Sequence, residues 1–340
     1  MSSVRIYIFQ IIVIFLLLEA ILHLIGFMDT YSEKIGNGYN SYYGQKIDSW
    51  YHSWTPNTLI DYKQPEFHYK NQYNNLGFRD INWVSEKEDS KNRLIILGDS
   101  FTEGDGAVRD SAFPSHLVNI LNNDHKQWEV YNGGVCGNDP VYNYKFFSTL
   151  IMPKYEYDNI MFLINSSDLD DYVYRGGLER FLPDSTSIYK KGPWIEKIYK
   201  YSRLSRVIFH ILGYNNLLLK NDEYEKLKQS SIDTFAKLYE LMYRDNIELK
   251  KKMLVVIHIF PSELSIKDCS SLTVSKLALE LDSKKVPYIY ICDAMKKAYK
   301  DLPYEFHSWP INGHFNGKGY KIFSDVIYQE TIKKYPDFFK

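Results

Sequence analysis

Cysteine is scarce in this sequence, with only three residues, Cys136, Cys269 and Cys292, among 340. No two of them are separated by two residues, which excludes the spacing of a zinc ribbon or of a dithiol redox pair. The odd number argues against a framework of several disulfides and leaves room for a single bridge. We expect no metal site, and no motif in the chain requires a cofactor.

A strong charge of either sign is also missing. The chain has 41 Lys and Arg against 42 Asp and Glu, which gives a net charge of -1. Proteins that bind nucleic acid through its phosphates usually carry a clear positive excess, so we expect no nucleic-acid partner. Hydrophobic residues make up 45% and charged residues 24%, which is ordinary for a globular protein.

Long hydrophobic runs are absent except at the N-terminus. The 22 residues from Ile6 to Phe27 are nearly all apolar. At about 1.5 Å per residue, a helix of this length crosses the roughly 30 Å hydrocarbon core of a bilayer. No small-x-small cleavage site follows, so residues 1–27 are interpreted as an uncleaved membrane anchor rather than a signal peptide. The short tail with Arg5 favours the inside, which predicts a single-pass protein with its C-terminal domain on the extracytoplasmic side, periplasmic or extracellular.

Two polar residues in this run, Glu19 and His23, are four positions apart and therefore share one face of a helix. An acid inside a membrane normally has a partner. One interpretation is contact with another membrane protein through this pair. The other is that Glu19 pairs with His23 near the interface or is protonated.

The rest of the chain divides by its pattern. Residues 28–90 are rich in Tyr, Asn and Trp with little periodicity, which predicts an irregular N-terminal extension that has short strands and packs on the main body. Residues 91–340 alternate short apolar runs with helical patterns, and residues near 175–225 are predicted to form a helical insert. The five runs are RLIILG, EVYNGGV, NIMFLIN, MLVVIHIF and VPYIYICD. This alternation predicts an α/β fold with a central parallel sheet covered on both faces.

Functional sites in such sheets form beyond the carboxyl ends of the strands. The segment GDSFTEG, residues 98–104, follows the first predicted strand at such an end. It lacks the second glycine of the G-x-S-x-G elbow and the G-K-[ST] of a phosphate-binding loop. It resembles the first sequence block of the SGNH, or GDSL-like, hydrolase superfamily. NNLGFRD, VYNGGVCGNDP, FLINSSDLDDY and INGHFNGKGY follow that family's block order, so the resemblance covers about residues 70–335.

The resemblance implies a three-layer, flavodoxin-like fold and ester chemistry by a serine nucleophile. It implies that Ser100 is the nucleophile, that His314 is the general base, and that the N–H groups of Ser100 and Gly137 bind the oxyanion. The chemistry is consistent, because a serine needs a base within reach and histidine titrates near neutrality. The alternatives are that Ser100 is a helix N-cap and that His314 is a surface turn residue.

Two blocks depart from the family pattern. In the third block Ser167 stands where the family has an oxyanion-binding Asn, and Asn165, in a glycosylation sequon, is a possible substitute donor in the floor of the site. In the last block Asn312 stands where the family has the Asp that orients His314. An Asn can present its carbonyl to the imidazole or donate to it and select the wrong tautomer. A backbone carbonyl, Glu305 or Asp301 are the other candidates for this role.

The acidic run DLDD, residues 168–171, is interpreted as a solvated loop with an N-cap, because a calcium loop needs more regularly spaced ligands and a glycine. The predicted function is a membrane-anchored serine ester hydrolase or O-acyl(acetyl)transferase that acts outside the membrane on an O-acylated glycan or lipid-linked substrate. The alternative is a catalytically degenerate SGNH domain that binds a glycan or serves as a scaffold in a membrane complex. A carboxylate near His314 Nδ1 favours the enzyme, whereas a Ser100–His314 separation above about 5 Å favours the binding module.

Overall fold

The structure is a computed structural model that describes residues 3–28, 54, 56–123, 127–175, 177, 196–213 and 220–340. Parts of the predicted extension and of the predicted insert lie outside the described residues. The first helix, α1 (Ser3–Leu24), has the length and apolar composition needed to cross a membrane. It begins three residues before the predicted span and ends before Phe27, and a turn continues to Met28.

The described strands form two sheets. β1 (Leu59–Lys63) and β2 (His68–Gln72) pair as an antiparallel hairpin within the predicted extension. The remaining strands are β3 (Asn92–Gly98), β4 (Trp128–Gly134), β5 (Asn159–Ile164), β6 (Lys252–Ile257) and β7 (Tyr288–Tyr290). They form one parallel sheet in the order β4-β3-β5-β6-β7. Counted within the sheet this is 2-1-3-4-5, the flavodoxin-like order. The predicted α/β fold with a central parallel sheet is therefore confirmed.

Helices cover both faces of this sheet. Those that follow α1 are α2 (Ser100–Glu103), α3 (Phe113–Asn122), α4 (Pro140–Phe146), α5 (Ser166–Arg175), α6 (Glu196–Tyr201), α7 (Arg203–Ile211), α8 (Asn221–Glu248), α9 (Ser275–Ser283), α10 (Cys292–Tyr299), α11 (Tyr304–His307) and α12 (Gly317–Lys334). Successive side chains of β3 enter opposite cores. Ile95 and Leu97 pack in the core with α4, α8 and α9, whereas Leu94 and Ile96 pack in the core with α3, α10 and α12. Because both faces are buried, the strand reads as a continuous apolar run.

Most predicted elements are present, with changed ends. The helical pattern GKGYKIFSDVIYQETIKK predicts the last helix over residues 317–334, as the structure has it, and Asp139 caps α4 by accepting from the N–H groups of Val141 and Tyr142. The pattern SIDTFAKLYELMYRDNIELKK predicts a helix from residue 231, but α8 begins ten residues earlier, because its first turns are polar and show no apolar periodicity. Strand β7 is shorter than its apolar run, because α10 begins at Cys292.

Cys292 is joined to Cys269 by a disulfide, with a Cα–Cα distance of 6.0 Å. This is the single bridge that the cysteine count left open. It ties the start of α10 to the loop after β6 and leaves Cys136 outside the pair.

Candidate active site

Ser100 is the first residue of α2 and directly follows the Asp99 that ends the turn after β3. The carboxylate of Asp99 accepts the N–H of Phe101 at 3.0 Å, so Asp99 is the N-cap of this helix. The interpretation of Ser100 as the cap is therefore wrong. Its side chain does no capping, and Ser100 is 7% exposed just beyond the carboxyl end of β3.

His314 lies in the loop before α12, and its Nε2 is 2.7 Å from Ser100 Oγ. Its ring packs against Phe101, with centroids 4.7 Å apart. The interpretation of His314 as a surface turn residue is therefore wrong. The two residues are separated by 214 positions in the chain, and the parallel sheet brings them together at one edge.

Asn312 presents its carbonyl to this ring. Its Oδ1 is 2.8 Å from His314 Nδ1 and also accepts the backbone N–H of His314 at 3.3 Å. Its Nδ2 donates to Asp105 Oδ2 at 3.5 Å. A carboxylate only accepts hydrogen bonds, so Asp105 fixes the amide nitrogen of Asn312 on its own side and the amide oxygen toward the ring. This orientation selects the tautomer with a proton on Nδ1, which leaves Nε2 free to accept from Ser100 Oγ.

Asp105 is a residue that the sequence reasoning missed. Its Oδ2 is 3.6 Å from His314 Nδ1, just beyond hydrogen-bond distance, and Asp105 is 6% exposed. Its Oδ1 accepts from Gly106 N at 2.9 Å and from the Tyr69 hydroxyl at 3.4 Å. In the part of the chain that the structure describes, no contact joins the side chain of Glu305 or Asp301 to His314.

A sequence signal for Asp105 exists beside Ser100 rather than beside His314. Gly104 and Gly106 flank it, and both have φ of +89°, a conformation that favours glycine. This turn brings the chain back, so that the N–H groups of Gly104 and Asp105 both donate to Ser100 O, at 2.8 and 2.9 Å. The pattern G-D-G five residues after the serine could therefore have indicated an acid that returns to the site.

The loop that carries Asp105 is held by buried side chains. Arg79 Nη2 donates to Gly104 O and to Ala107 O, both at 2.7 Å. The Tyr320 hydroxyl donates to Asp105 O at 2.8 Å, and Trp309 Nε1 donates to the carbonyl of Gly106 at 2.6 Å. The guanidinium of Arg79 also places a positive charge near the buried carboxylates of this region. The NNLGFRD segment thus supports the site from the extension.

The hairpin of the extension holds the opposite side of the site. Glu66, in the turn between β1 and β2, accepts the N–H of Ile311 at 3.0 Å and the N–H of Asn312 at 2.8 Å. It therefore fixes the backbone that presents Asn312 to His314. The predicted extension is part of the site, because it supplies Glu66, Tyr69 and Arg79.

Glu103, at the end of α2, links the extension to the loop that contains Gly137. Its carboxylate accepts from Trp54 Nε1 at 3.1 Å, from the Tyr73 hydroxyl at 3.3 Å and from Cys136 N at 2.8 Å. Burial raises the pKa of Glu103 to about 7, although the charge of Arg79 and the N–H of Cys136 oppose the shift. Glu103 therefore titrates close to neutrality while holding the residue next to Gly137.

Gly137 has φ of +71°, which suits glycine, and lies in the loop after β4. Val135 N donates to Gly98 O at 3.1 Å, which holds this loop against the end of β3. The approach is close, because a Cβ on Gly134 would lie 2.2 Å from Glu103 N. Among the described residues, no backbone hydrogen bond uses the N–H of Gly137. Its role as an oxyanion donor, with Ser100 N, stays a prediction.

Asn165 and Ser167 both contact Asp99, the residue before Ser100. Asn165 is fully buried, and its Nδ2 donates to Asp99 Oδ2 at 2.8 Å and lies 3.3 Å from His258 Nε2. Its Oδ1 accepts both the N–H and the hydroxyl of Ser167 at 2.8 Å. The amide of Asn165 is thus engaged within the protein, where it holds the N-cap Asp99, and its burial removes it as a glycosylation acceptor. The oxyanion role predicted for Asn165 or Ser167 stays a prediction.

The interpretation of DLDD as a solvated loop is wrong, because these residues form part of the first turns of α5. Asp168 is fully buried and accepts the N–H of Asn165 at 2.8 Å, while Asn165 accepts the N–H of Ser167. Asn165 therefore caps the start of α5, and Asp168, three residues later, accepts the backbone N–H of this capping residue. Burial and then the charge of Asp99 raise the pKa of Asp168 well above its usual range. Across the described ranges, no group of three or more His, Cys, Asp or Glu side chains could hold a metal ion.

A serine after the first strand of a 2-1-3-4-5 sheet, with a histidine before the last helix within 2.7 Å, is the arrangement that the sequence resemblance implied. The sheet order and the layers of helices are those of the flavodoxin-like α/β fold that the resemblance implied. No family model matches the chain, and no curated protein matches its sequence.

Solved structures that are similar to the chain include three hydrolases. An acetylxylan esterase from Geobacillus stearothermophilus is 13% identical, with a TM-score of 0.44, over 72% of this chain and 96% of that one. A second acetyl xylan esterase is 14% identical, with a TM-score of 0.44, over 70% and 98%. A structure described as a G-D-S-L family lipolytic protein from Desulfitobacterium hafniense is 12% identical, with a TM-score of 0.41, over 70% and 99%.

Proposed function

We propose that this protein is a serine ester hydrolase or O-acyl(acetyl)transferase whose nucleophile is Ser100. The observation that carries the proposal is the 2.7 Å contact between Ser100 Oγ and His314 Nε2. The other ring nitrogen of His314, Nδ1, is hydrogen-bonded to an orienting group, Asn312 Oδ1, at 2.8 Å. A nucleophile, a base and an orienting group in series are the features that activate a serine.

In the proposed mechanism Ser100 Oγ attacks the ester carbonyl carbon while its proton passes to His314 Nε2. The negative oxygen that forms is bound by the N–H groups of Ser100 and Gly137. When the tetrahedral intermediate collapses, the bond to the alcohol breaks, and the leaving oxygen takes the proton from His314. The acyl group then remains on Ser100 until a second hydroxyl attacks with the reverse proton transfers. Water as the acceptor gives hydrolysis, and a sugar hydroxyl gives acyl transfer.

Asp105 supplies the negative charge in this mechanism. When His314 takes the proton from Ser100, its ring becomes a cation, and the carboxylate of Asp105 lies 3.6 Å from Nδ1. The neutral Asn312 transmits the orientation, since its amide accepts from the ring and donates to Asp105. Charge and orientation, which a single carboxylate provides in a Ser-His-Asp triad, are here divided between Asp105 and Asn312.

The proposed location is the extracytoplasmic side of a membrane, with α1 as the anchor. The apolar α1 and the disulfide between Cys269 and Cys292 support this, because disulfides persist mainly in oxidising compartments. The proposed substrate class is an O-acylated glycan or lipid-linked saccharide. The similar structures include proteins named acetylxylan esterases, and the name denotes cleavage of acetyl esters on xylan. This chain is proposed to act on the same type of bond, an ester on a glycan.

A fluorophosphonate probe applied to the full-length protein in detergent tests the nucleophile. We expect labelling of the wild type at Ser100, no labelling of Ser100→Ala, and at least about 100-fold slower labelling of His314→Ala because the base is lost. Hydrolysis of an aryl acetate should follow the same order. Addition of a sugar acceptor then separates the two reactions, because a transferase forms the acetylated sugar faster than free acetate.

A glycan-binding or scaffold module is the second candidate, and the neutral Asn312 in place of the family's Asp favours it. A folded wild-type protein that the probe leaves unlabelled, and that binds an acetylated glycan equally well with Ser100→Ala, would support this candidate over the enzyme.

A further inference from the structure

We propose that the helical pair α6–α7 lies in the outer interface of the bilayer, attached to the anchor α1, with its exposed apolar face in lipid. The proposal rests on the proposed membrane anchoring and is independent of the esterase chemistry. Its basis is two contacts: Glu19 of α1 accepts hydrogen bonds from the start of α7, and Arg206 of α7 donates one to the turn that follows α1.

The first contact is made by Glu19, the acidic residue within the apolar anchor. Its carboxylate accepts the N–H of Arg203 at 2.7 Å, the N–H of Leu204 at 2.9 Å and the hydroxyl of Ser202 at 2.8 Å. These donors form the N-terminus of α7, where the unpaired N–H groups and the helix dipole favour a negative charge. Glu19 thus caps a helix of the insert.

The second contact is made by Arg206, which is 2% exposed. Its Nη1 donates to Met28 O at 2.9 Å, in the turn that follows the end of α1, and its Nε donates to Tyr199 O at 2.9 Å. Glu19 therefore caps α7, and Arg206 holds the turn that follows the anchor, so that α7 lies beside the last turns of α1.

The depth of this contact identifies the surroundings. Glu19 precedes Leu24 by five residues, which is about 8 Å along a helix at 1.5 Å per residue. Interfacial helices bury their apolar face about 5–10 Å into the boundary of the bilayer. If α1 spans the membrane, the start of α7 lies within that boundary.

The outward face of the pair has the required chemistry. Ile208, Ile211 and Leu212 are spaced by three and four positions, so they share one face of α7, and they are 45%, 78% and 60% exposed. Ile198 of α6 is also 46% exposed. The charged Arg203 and Arg206 face the other way and are buried. An apolar face continuous with a lipid-facing anchor fits a lipid bilayer.

The arrangement also accounts for an acid in the anchor. A carboxylate at this depth needs hydrogen-bond donors, and the chain itself supplies three. The contact with another membrane protein predicted for Glu19 and His23 is not needed to satisfy Glu19.

A lipid-quenching experiment on the full-length chain in phosphatidylcholine–phosphatidylglycerol vesicles tests the proposal. A single NBD fluorophore is attached to Ile211→Cys in a Cys136→Ser background, and quenching by brominated phosphatidylcholine is measured. Ile247→Cys on α8 is the matched control, because Ile247 is also an exposed isoleucine, at 55%. We expect quenching several-fold stronger at position 211 than at 247. We expect Glu19→Gln to weaken it, because an amide cannot accept three donors as a carboxylate does.

Equal, weak quenching at positions 211 and 247 would overturn the proposal. Protection of the fluorophore at position 211 from the lipid quencher that depends on protein concentration would also overturn it, because another protein would then cover this face. Strong quenching at position 211 that Glu19→Gln leaves unchanged would overturn the role of Glu19. NBD attached to Ile14→Cys reports whether α1 itself is in the bilayer. Quenching at position 14 without quenching at position 211 would refute only the placement of α6–α7. No quenching at position 14 would refute the proposed anchoring by α1. Fluorophosphonate labelling of the same samples reports the esterase separately.

Discussion

The charge on Asp105 should determine the reactivity of Ser100. At an effective dielectric constant of about 20, opposite unit charges 3.6 Å apart attract by about 4–5 kcal/mol. The imidazolium charge is spread over the ring and His314 is partly accessible to water, so about half of this, about 2–3 kcal/mol, is expected to act in the transition state. Asp105→Asn should therefore lower kcat for an aryl acetate by about 30- to 150-fold, since about 1.4 kcal/mol corresponds to tenfold.

The neighbouring Asn312 allows a charge exchange that isolates this effect. Asn312→Asp alone would place two carboxylates about 3.5 Å apart, and one of them would take up a proton, so we expect little gain in kcat. The double variant Asp105→Asn with Asn312→Asp puts one carboxylate directly on His314 Nδ1. It should recover most of the activity lost in Asp105→Asn.

The assay is kcat for an aryl acetate at pH 8, with thermal unfolding measured in parallel and Ser100→Ala as the background. If Asp105→Asn keeps full activity, Asp105 has no part in the reaction. If the double variant is folded but no more active than Asp105→Asn, the loss is structural rather than electrostatic. If Glu305→Gln abolishes activity while Asp105→Asn does not, the acid is Glu305.

Three further predictions concern the support of the site. Burial raises the pKa of Glu103 from 4.5 to about 7, so the stabilisation from its bound proton is fully present below about pH 4.5 and is lost as the pH rises through about 7. The stability of wild type relative to Glu103→Gln should therefore fall by about 3 kcal/mol between pH 4.5 and 8, measured by chemical unfolding, and a difference independent of pH would contradict the shift. Arg79→Lys should lower kcat about tenfold with little change in KM, because lysine cannot reproduce both bonds to the Asp105 loop; a change in KM alone would assign Arg79 to substrate binding instead. Gly134→Ala should cost about 3 kcal/mol or more in thermal unfolding, because the new Cβ meets the backbone of Glu103 at 2.2 Å, and an unchanged melting temperature would show that the loop can move.

The extension shows why the sequence did not indicate the whole site. Its Tyr- and Asn-rich residues have little periodicity, so the pattern predicted only short strands. Glu66, Tyr69 and Arg79 act through one or two hydrogen bonds each, across 25 to 246 positions, and such contacts leave no periodic trace in the sequence. The placement of DLDD failed for a related reason, since the hydrogen bond from Asn165 N accompanies the burial of an acid, Asp168, that composition alone assigns to solvent.

The sequence by itself predicted the α/β fold, the apolar N-terminal helix and the meeting of Ser100 and His314 at one edge of the sheet. Continuous apolar runs require burial on both faces of a sheet, and the carboxyl ends of parallel strands meet at one edge, so Ser100 and His314 had to lie near each other. Only the tertiary structure decided which acid accompanies them. Asp105 reaches the ring through two left-handed glycines and a loop held by Arg79, and Asn312 takes its orientation from Asp105. The orientation of the His314 ring and the charge beside it depend on differences of less than 1 Å in the distances to Asn312 and Asp105. These distances are set by packing among segments that are far apart in the chain.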